Sequence, residues 1–227
     1  MAGQGRPGGG GDGDPGDRGG AWLSDADGER LQACVMSGGV AVIPTDTVYG
    51  VCCDPDEEAA VRRLYELKGR PPERPAAVMF FGLDAALAAL PGLAGRELAA
   101  VRALLPGGVT LLLANRARRY LPACGPDPDT LGIRVPLLAG ALEGLAAASG
   151  PVMQSSANLS GGPDPRALDQ VPTSIRDGAR LVLDGGPLPG MPSTVVDLRS
   201  YADGGGWRLL REGAVTAGAV ARALGYP

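Results

Sequence analysis

The chain has 227 residues, 44% of them hydrophobic, with a net charge of −4 and a pI near 4.9. That length and apolar share exclude global disorder and allow one α/β domain or at most two small ones, while the acidic balance excludes a surface that grips nucleic acid all round and leaves only a local basic patch. Histidine is absent, so Ser-His-Asp, Cys-His and His-metal mechanisms are closed, and acid–base or phosphate chemistry falls to carboxylates, Lys, Arg, hydroxyls, backbone or a bound metal.

Residues 1–20 contain ten Gly and two Pro and read as a disordered Gly-rich tail, with a folded domain over 21–227. The tail spells G-x-G-x-x-G at Gly3-Gln4-Gly5-Arg6-Pro7-Gly8, but without a strand before it or a helix after it the dinucleotide fingerprint has no context. Ser24 or Asp25 caps a helix to about Met36, closed by Ser37-Gly38-Gly39. Val40 to Ile43 is a short buried strand that feeds the polar loop Thr45-Asp46-Thr47-Val48-Tyr49-Gly50. The acids of Asp54-Pro55-Asp56-Glu57-Glu58 open the next helix. Its core side is Val61, Leu64 and Tyr65, and Gly69, Pro71 and Pro72 end it after Lys68.

Beyond it the pattern predicts a strand at Ala77–Phe81, helices near 84–90 and 95–104, and strands at Val109–Leu113 and Thr130–Val135. A helix is predicted around 138–145 and a strand at Pro151–Gln154 that runs into Ser155-Ser156-Ala157-Asn158. Strands at 181–183, 194–198 and 207–210 and a final helix near 216–224 complete the reading. Strands and helices interleave without a repeat, so the expected fold is a single α/β domain with a twisted, open, mixed sheet and flanking helices.

The cysteines, Cys34, Cys52, Cys53 and Cys124, form no C-x-x-C pair and read as reduced, mostly buried thiols. With no apolar run of membrane-spanning length and no hydrophobic leader, the expectation is a cytoplasmic protein with no membrane association. Of the 21 basic residues, 20 are Arg, and Lys68 is the only lysine.

Three hydroxyl-rich clusters fall where strands are expected to end: Thr45 to Gly50, Ser155 to Asn158, and Pro192-Ser193-Thr194. In open α/β sheets such positions hold ligands, although Ser, Thr and Asn also make ordinary turns and caps. Lys68, Arg70 and Arg74 cluster at a helix end and could clamp a phosphate or simply complement the helix dipole. Arg134, inside an apolar strand, must reach solvent, a carboxylate or a phosphate, and Arg211 after Leu209-Leu210 repeats that arrangement. No Walker sequence or kinase signature set occurs.

Taken in order, Pro44-Thr45-Asp46-Thr47-Val48-Tyr49-Gly50, Lys68-Gly69-Arg70-Pro71, Ser156-Ala157-Asn158-Leu159-Ser160-Gly161, Ser193-Thr194-Val195-Val196-Asp197-Leu198 and Leu210-Arg211-Glu212-Gly213 resemble the motifs of the YrdC-like (TsaC) threonylcarbamoyl-adenylate synthases. The resemblance covers about 30–215 and implies that fold, wrapped around a large basic cavity. It implies synthesis of threonylcarbamoyl-AMP and pyrophosphate from L-threonine, bicarbonate and ATP with Mg²⁺, for the threonylcarbamoyladenosine of tRNA.

Carried over by position, Thr47, Arg134, Gln154 and Ser193 would hold threonine. Lys68, Arg70, Arg74, Thr130, Ser156, Asn158, Asp164 and Arg211 would hold ATP, with Lys68 and Arg70 at the reacting phosphate and no resident protein-bound metal. Met79 stands where many members carry histidine, Ala76 and Ala77 where bulkier aliphatics are usual, and Gln154 and Asp164 replace smaller residues. Implied partners are the downstream tRNA threonylcarbamoyl-transferase proteins and, weakly, double-stranded RNA or tRNA. The rival readings are a carbamoyl-adenylate-forming relative that uses carbamoyl phosphate and a non-catalytic double-stranded RNA-binding module.

Overall fold

A computed structural model describes residues 22–71 and 73–226. The expected 1–20 tail, and Pro72 at the predicted helix stop, lie outside the described residues. Nine strands form one sheet, β1 Ala41–Ile43, β2 Gly50–Cys53, β3 Ala77–Met79, β4 Val109–Ala114, β5 Thr130–Arg134, β6 Val152–Ser156, β7 Leu181–Val182, β8 Thr194–Asp197 and β9 Arg208–Arg211, in the order β7-β1-β2-β6-β3-β5-β4-β8-β9. Parallel pairs (β1 with β7, β3 with β5, β4 with β8) stand among antiparallel ones, so the sheet is mixed, as expected. Among the described residues no helix is long and apolar enough to cross a membrane.

Each face of the sheet has its own apolar cluster because successive strand side chains point to opposite sides. On one face Val42, Val78, Leu111, Ile133 and Met153 pack with helices α2 (Glu58–Lys68) and α4 (Gly95–Leu104). On the other, Ala41, Ile43, Cys52, Met79 and Val152 pack with α1 (Asp25–Met36) and the 3₁₀ segment Gly140–Ala147. That segment is where an α-helix was expected. It lies so close to α1 that a Cβ on Gly28 would fall 2.3 Å from the Gly144 carbonyl oxygen, and a Cβ on Gly144 would strike Ser24.

Helix α2 shows how local sequence sets the site. The Glu57 carboxylate accepts from the Ala59 N–H at 3.2 Å, and Gly69 ends the helix in the left-handed region at φ 55°. Its buried stripe is Val61, Leu64, Tyr65 and Lys68, spaced i, i+3, i+4, i+7. The lysine therefore belongs to the helix's inward face.

Several expectations need correction. β2 lies where the sequence pattern gives only the last residue of the polar loop, Gly50, and no element over 51–53. The short helices α5 (Leu121–Cys124) and α6 (Thr173–Gly178) gave no periodic signal, and β6 extends through Ser156. Ser193 and Thr194 do not follow a strand; they open β8, because the chain returns there to pair parallel with β4. All four cysteines are buried and unpaired, and burial pushes the Cys53 thiol up to about 12.

Candidate active site

Over β5, β4, β8 and β9 the second face of the sheet floors a cavity of about 460 Å³, within the range of small-molecule sites. Its floor consists of cross-strand rows, since residues directly opposite one another share a face. One row is Met79, Arg134, Thr110, Val195 and Arg211, each opposite the next. The neighbouring row sets Gln154 opposite Ala77, and Gly132 opposite Leu112. Where those rows carry Ala and Gly the floor is hollow.

Arg134 is 3% exposed. Its Nη2 donates to the Asp46 carboxylate, to Thr47 Oγ1 at 2.6 Å and to Thr45 Oγ1 at 3.4 Å. The other Asp46 oxygen accepts from the Leu137 N–H at 3.0 Å, so one carboxylate ties the loop after β1 to the exit of β5. Of the partners open to a strand arginine, the protein itself thus supplies a carboxylate. Arg134 Nε is buried, with no partner among the described residues.

At the far end of the same row Arg211 donates to the Ser193 carbonyl at 2.7 Å, and Ser193 Oγ meets Thr110 Oγ1 at 2.8 Å. Arg70 reaches the cavity from the end of α2, donates to the Pro75 carbonyl at 2.8 Å, and keeps a buried, unpartnered Nε. Burial lowers its pKa.

Lys68 is not among the residues that line the cavity. The residue is 1% exposed and lies behind the wall. It donates to the Ser156 carbonyl, to the Asn158 carbonyl at 2.8 Å and to Asn158 Oδ1 at 3.0 Å. Burial, helped by the Arg70 charge, pulls its pKa down to about 8. Asn158 Oδ1 also accepts from the Ser156 hydroxyl at 2.7 Å, so the ammonium is the hub of the turn that follows β6.

Eight of the sequence-predicted residues line the cavity together: Arg70, Thr130, Arg134, Gln154, Ser156, Asp164, Ser193 and Arg211. Thr47 touches it through Arg134, and Asn158 and Lys68 through Ser156. The exposed Arg74 is not brought to the wall.

Sequence reasoning missed a second polar network on the wall. Thr130 Oγ1 donates to Asp127 at 2.6 Å and accepts from Arg199 at 3.2 Å. Arg199 is in turn fixed by Asp197 through Nε at 2.9 Å and Nη2 at 2.8 Å. Hydrogen bonds from Arg199, with further ones from Arg208, hold the Asp197 carboxyl well below the usual range. The available signal was the i, i+2 spacing of Asp197 and Arg199 at the end of a strand whose Val195 also lines the cavity. The cavity wall carries four arginines, Arg70, Arg134, Arg199 and Arg211, and two aspartates, Asp127 and Asp164. Such a chamber suits a substrate with several negative oxygens.

The Sua5/YciO/YrdC family model, described as "Telomere recombination", matches residues 33–213. The chain belongs to that family. A Mycobacterium tuberculosis relative is 34% identical over 195 residues, covering 84% of this chain and 86% of its own. The Mus musculus threonylcarbamoyl-AMP synthase is 33% identical over 180 residues, covering 75% of this chain and 63% of its own. Among solved structures, P. abyssi Sua5 complexed with L-threonine is similar at a TM-score of 0.71 and 27% identity, covering 89% of this chain. The chain spans 58% of that archaeal protein's length.

Proposed function

We propose that this chain is an L-threonylcarbamoyladenylate synthase, a nucleotidyltransferase that joins L-threonine, bicarbonate and ATP. The observation that carries the reading is the convergence of two anion-binding ends on one cavity row. Arg134, with its unpartnered Nε and its neighbour Thr47, stands at one end, and Arg211 with Ser193 stands at the other. Relatives that carry the synthase name, and a related structure that holds L-threonine, support it.

In this reading the threonine amine and bicarbonate form a carbamate with loss of water. A carbamate oxygen then attacks the α-phosphorus of ATP, and the bond to the β-phosphate breaks to release pyrophosphate. The protein needs no nucleophile of its own for that displacement. It orients the reactants and neutralises their oxygens, which suits a chain without histidine. Mg²⁺ enters with ATP as part of the substrate.

Arg134 takes the threonine carboxylate as a charge-assisted partner, with Thr47 beside it and Ser193 reaching from the other end of the row through Thr110. Arg70, Arg211 and Ser156 meet the nucleotide, with Asp164 at its outer side. The Thr130–Arg199–Asp127 network adds a guanidinium to that end of the cavity. Lys68 acts through the turn at Ser156–Asn158, which it pins. The test is pyrophosphate release with each reactant omitted in turn. Release that requires threonine, bicarbonate and ATP together is the expected result. Release sustained by carbamoyl phosphate in place of threonine and bicarbonate would assign the carbamoyl-adenylate chemistry instead, and no release, with double-stranded RNA bound, would assign a binding module.

A further inference from the structure

The cavity wall carries two kinds of arginine. Arg70 and Arg134 each keep a buried Nε with no partner among the described residues, and Arg211 there meets only neutral oxygens of Ser193. Arg199 is different. Its Nε and Nη2 donate to the two oxygens of Asp197 at 2.9 and 2.8 Å. Its Nη1 donates to Thr130 Oγ1 at 3.2 Å and lies 3.6 Å from an Asp127 oxygen. Asp197 is 5% exposed and also accepts from Arg208 at 2.7 Å. Two guanidiniums thus face two carboxylates, and the group as a whole holds no surplus positive charge to draw a phosphate. Each nitrogen of Arg199 is engaged at its edge. What the side chain still presents to the cavity it lines is the flat face of the guanidinium, fixed in its orientation by Asp197 and Thr130.

The position of this plane matters as much as its chemistry. Thr130, which Arg199 meets, and Arg134 open and close β5, about 13 Å apart along the strand. Arg134 and Arg211 belong to the anion-binding row, so Arg199 stands at the opposite end of the cavity. Between the two ends runs a row that sets Gly132 opposite Leu112, and Leu112 opposite Asp197. Its floor is therefore small and apolar up to the carboxylate that holds Arg199. A nucleotide has the same polarity, with charged oxygens at one end and a flat ring at the other. Among the described residues that line the cavity none is aromatic, so no Phe, Tyr or Trp ring is there to receive a base. An arginine plane takes that role in proteins that stack bases.

We infer that Arg199, locked by Asp197 and Thr130, is the platform on which the adenine of ATP stacks. The inference rests on the synthase reading above and adds the residue that holds the base. It gives the Asp197 pair a second purpose: the pair neutralises the guanidinium and at the same time sets the angle of its plane. Phosphate oxygens are left to Arg70 and Arg211, whose charges no carboxylate meets among the described residues. A lysine at position 199 could still pair with Asp197, but it has no plane to present.

The test is calorimetric titration of the full chain with ATP and with inorganic tripolyphosphate, which presents the phosphate chain without a nucleoside, each with Mg²⁺. Arg199→Ala removes the plane and the charge. Arg199→Lys removes the plane and keeps a cation for Asp197, so it carries the test alone if melting curves show the alanine variant unfolded. Both variants are expected to bind ATP about 5–100-fold more weakly than wild type and to bind tripolyphosphate as wild type does. An Arg199→Lys protein with wild-type ATP affinity overturns the proposal. Tripolyphosphate affinity that falls in step with that for ATP also overturns it, by making Arg199 a phosphate ligand. If the expected losses are found but wild type releases no pyrophosphate with threonine and bicarbonate, the synthase reading fails and the base platform stands. A wild type that binds no ATP overturns both.

Discussion

Over β4, β5 and β8 the two faces of the sheet are made by the same strands, yet one is a dry core and the other a chemical chamber. β5 shows the division within five residues: Leu131 and Ile133 enter the apolar cluster, while Thr130, Gly132 and Arg134 line the cavity. β4 and β8 repeat it, with Leu111 and Val196 on one side and Thr110 and Val195 on the other. The period of two along a strand separates stability from function at single-residue resolution. Substitutions on one face should therefore unfold the protein, and substitutions on the other should disable it while it stays folded.

The largest effect is expected on the packed face. Ile133 is fully buried, and Ile133→Ala should cost about 2–5 kcal/mol of unfolding free energy through lost burial and the cavity left behind. Denaturant melts measure this. Below the transition, threonine and ATP affinities should remain those of wild type, and a large fall in affinity would show that the two faces are not separable.

Next comes the chamber. Arg211 is exposed, at the edge strand β9, and among the described residues its side chain bonds only to Ser193. Arg211→Ala should change stability by no more than about 0.5 kcal/mol. It should weaken ATP binding about 10–100-fold, through the loss of a charge-assisted contact. A nucleotide titration beside a melting curve reads both, and unchanged ATP affinity would remove Arg211 from the site.

A smaller effect tests the boundary between the faces, where Lys68 sits. Its pKa of about 8 in the folded chain lies below the 10.5 of an ordinary lysine. The unfolded chain therefore binds more protons between those values, and this group's contribution to stability rises as pH climbs from 8 to 10.5, with its penalty complete below 8. Lys68→Met removes that dependence. The stability of wild type relative to the variant should grow by on the order of 1–3 kcal/mol between pH 7.5 and 10. A difference that stays flat, or shrinks, would mean that the Ser156 and Asn158 acceptors hold the ammonium charged against burial.

Local patterns in the sequence revealed much of the packed face and part of the chamber. The apolar runs of β4, β5 and β8, the caps of α1 and α2, and the isolated Arg134 all carry local signals, and each belongs to the structure. What stayed hidden depends on pairing between distant strands. β2 has only four residues and follows a polar loop, so no period could announce it. The place of Ser193 at the start of β8 follows from the parallel pairing with β4, and its neighbour Arg211 comes from the bulged return of β9. Asp127 and Arg199 are 72 positions apart and meet only because β5 and β8 flank β4. The stripe Val61, Leu64, Tyr65 and Lys68 has helical spacing, but the acceptors that meet the lysine, on Ser156 and Asn158, come from a distant segment and leave no local signal.

The most direct test of the account is mass spectrometry of the product formed by the full chain from ATP, L-threonine and ¹³C-bicarbonate. The account predicts threonylcarbamoyl-AMP one mass unit heavier than the product from unlabelled bicarbonate, formed together with pyrophosphate and lost when threonine is left out. A product that carries no ¹³C, or pyrophosphate released at the same rate without threonine, would contradict it.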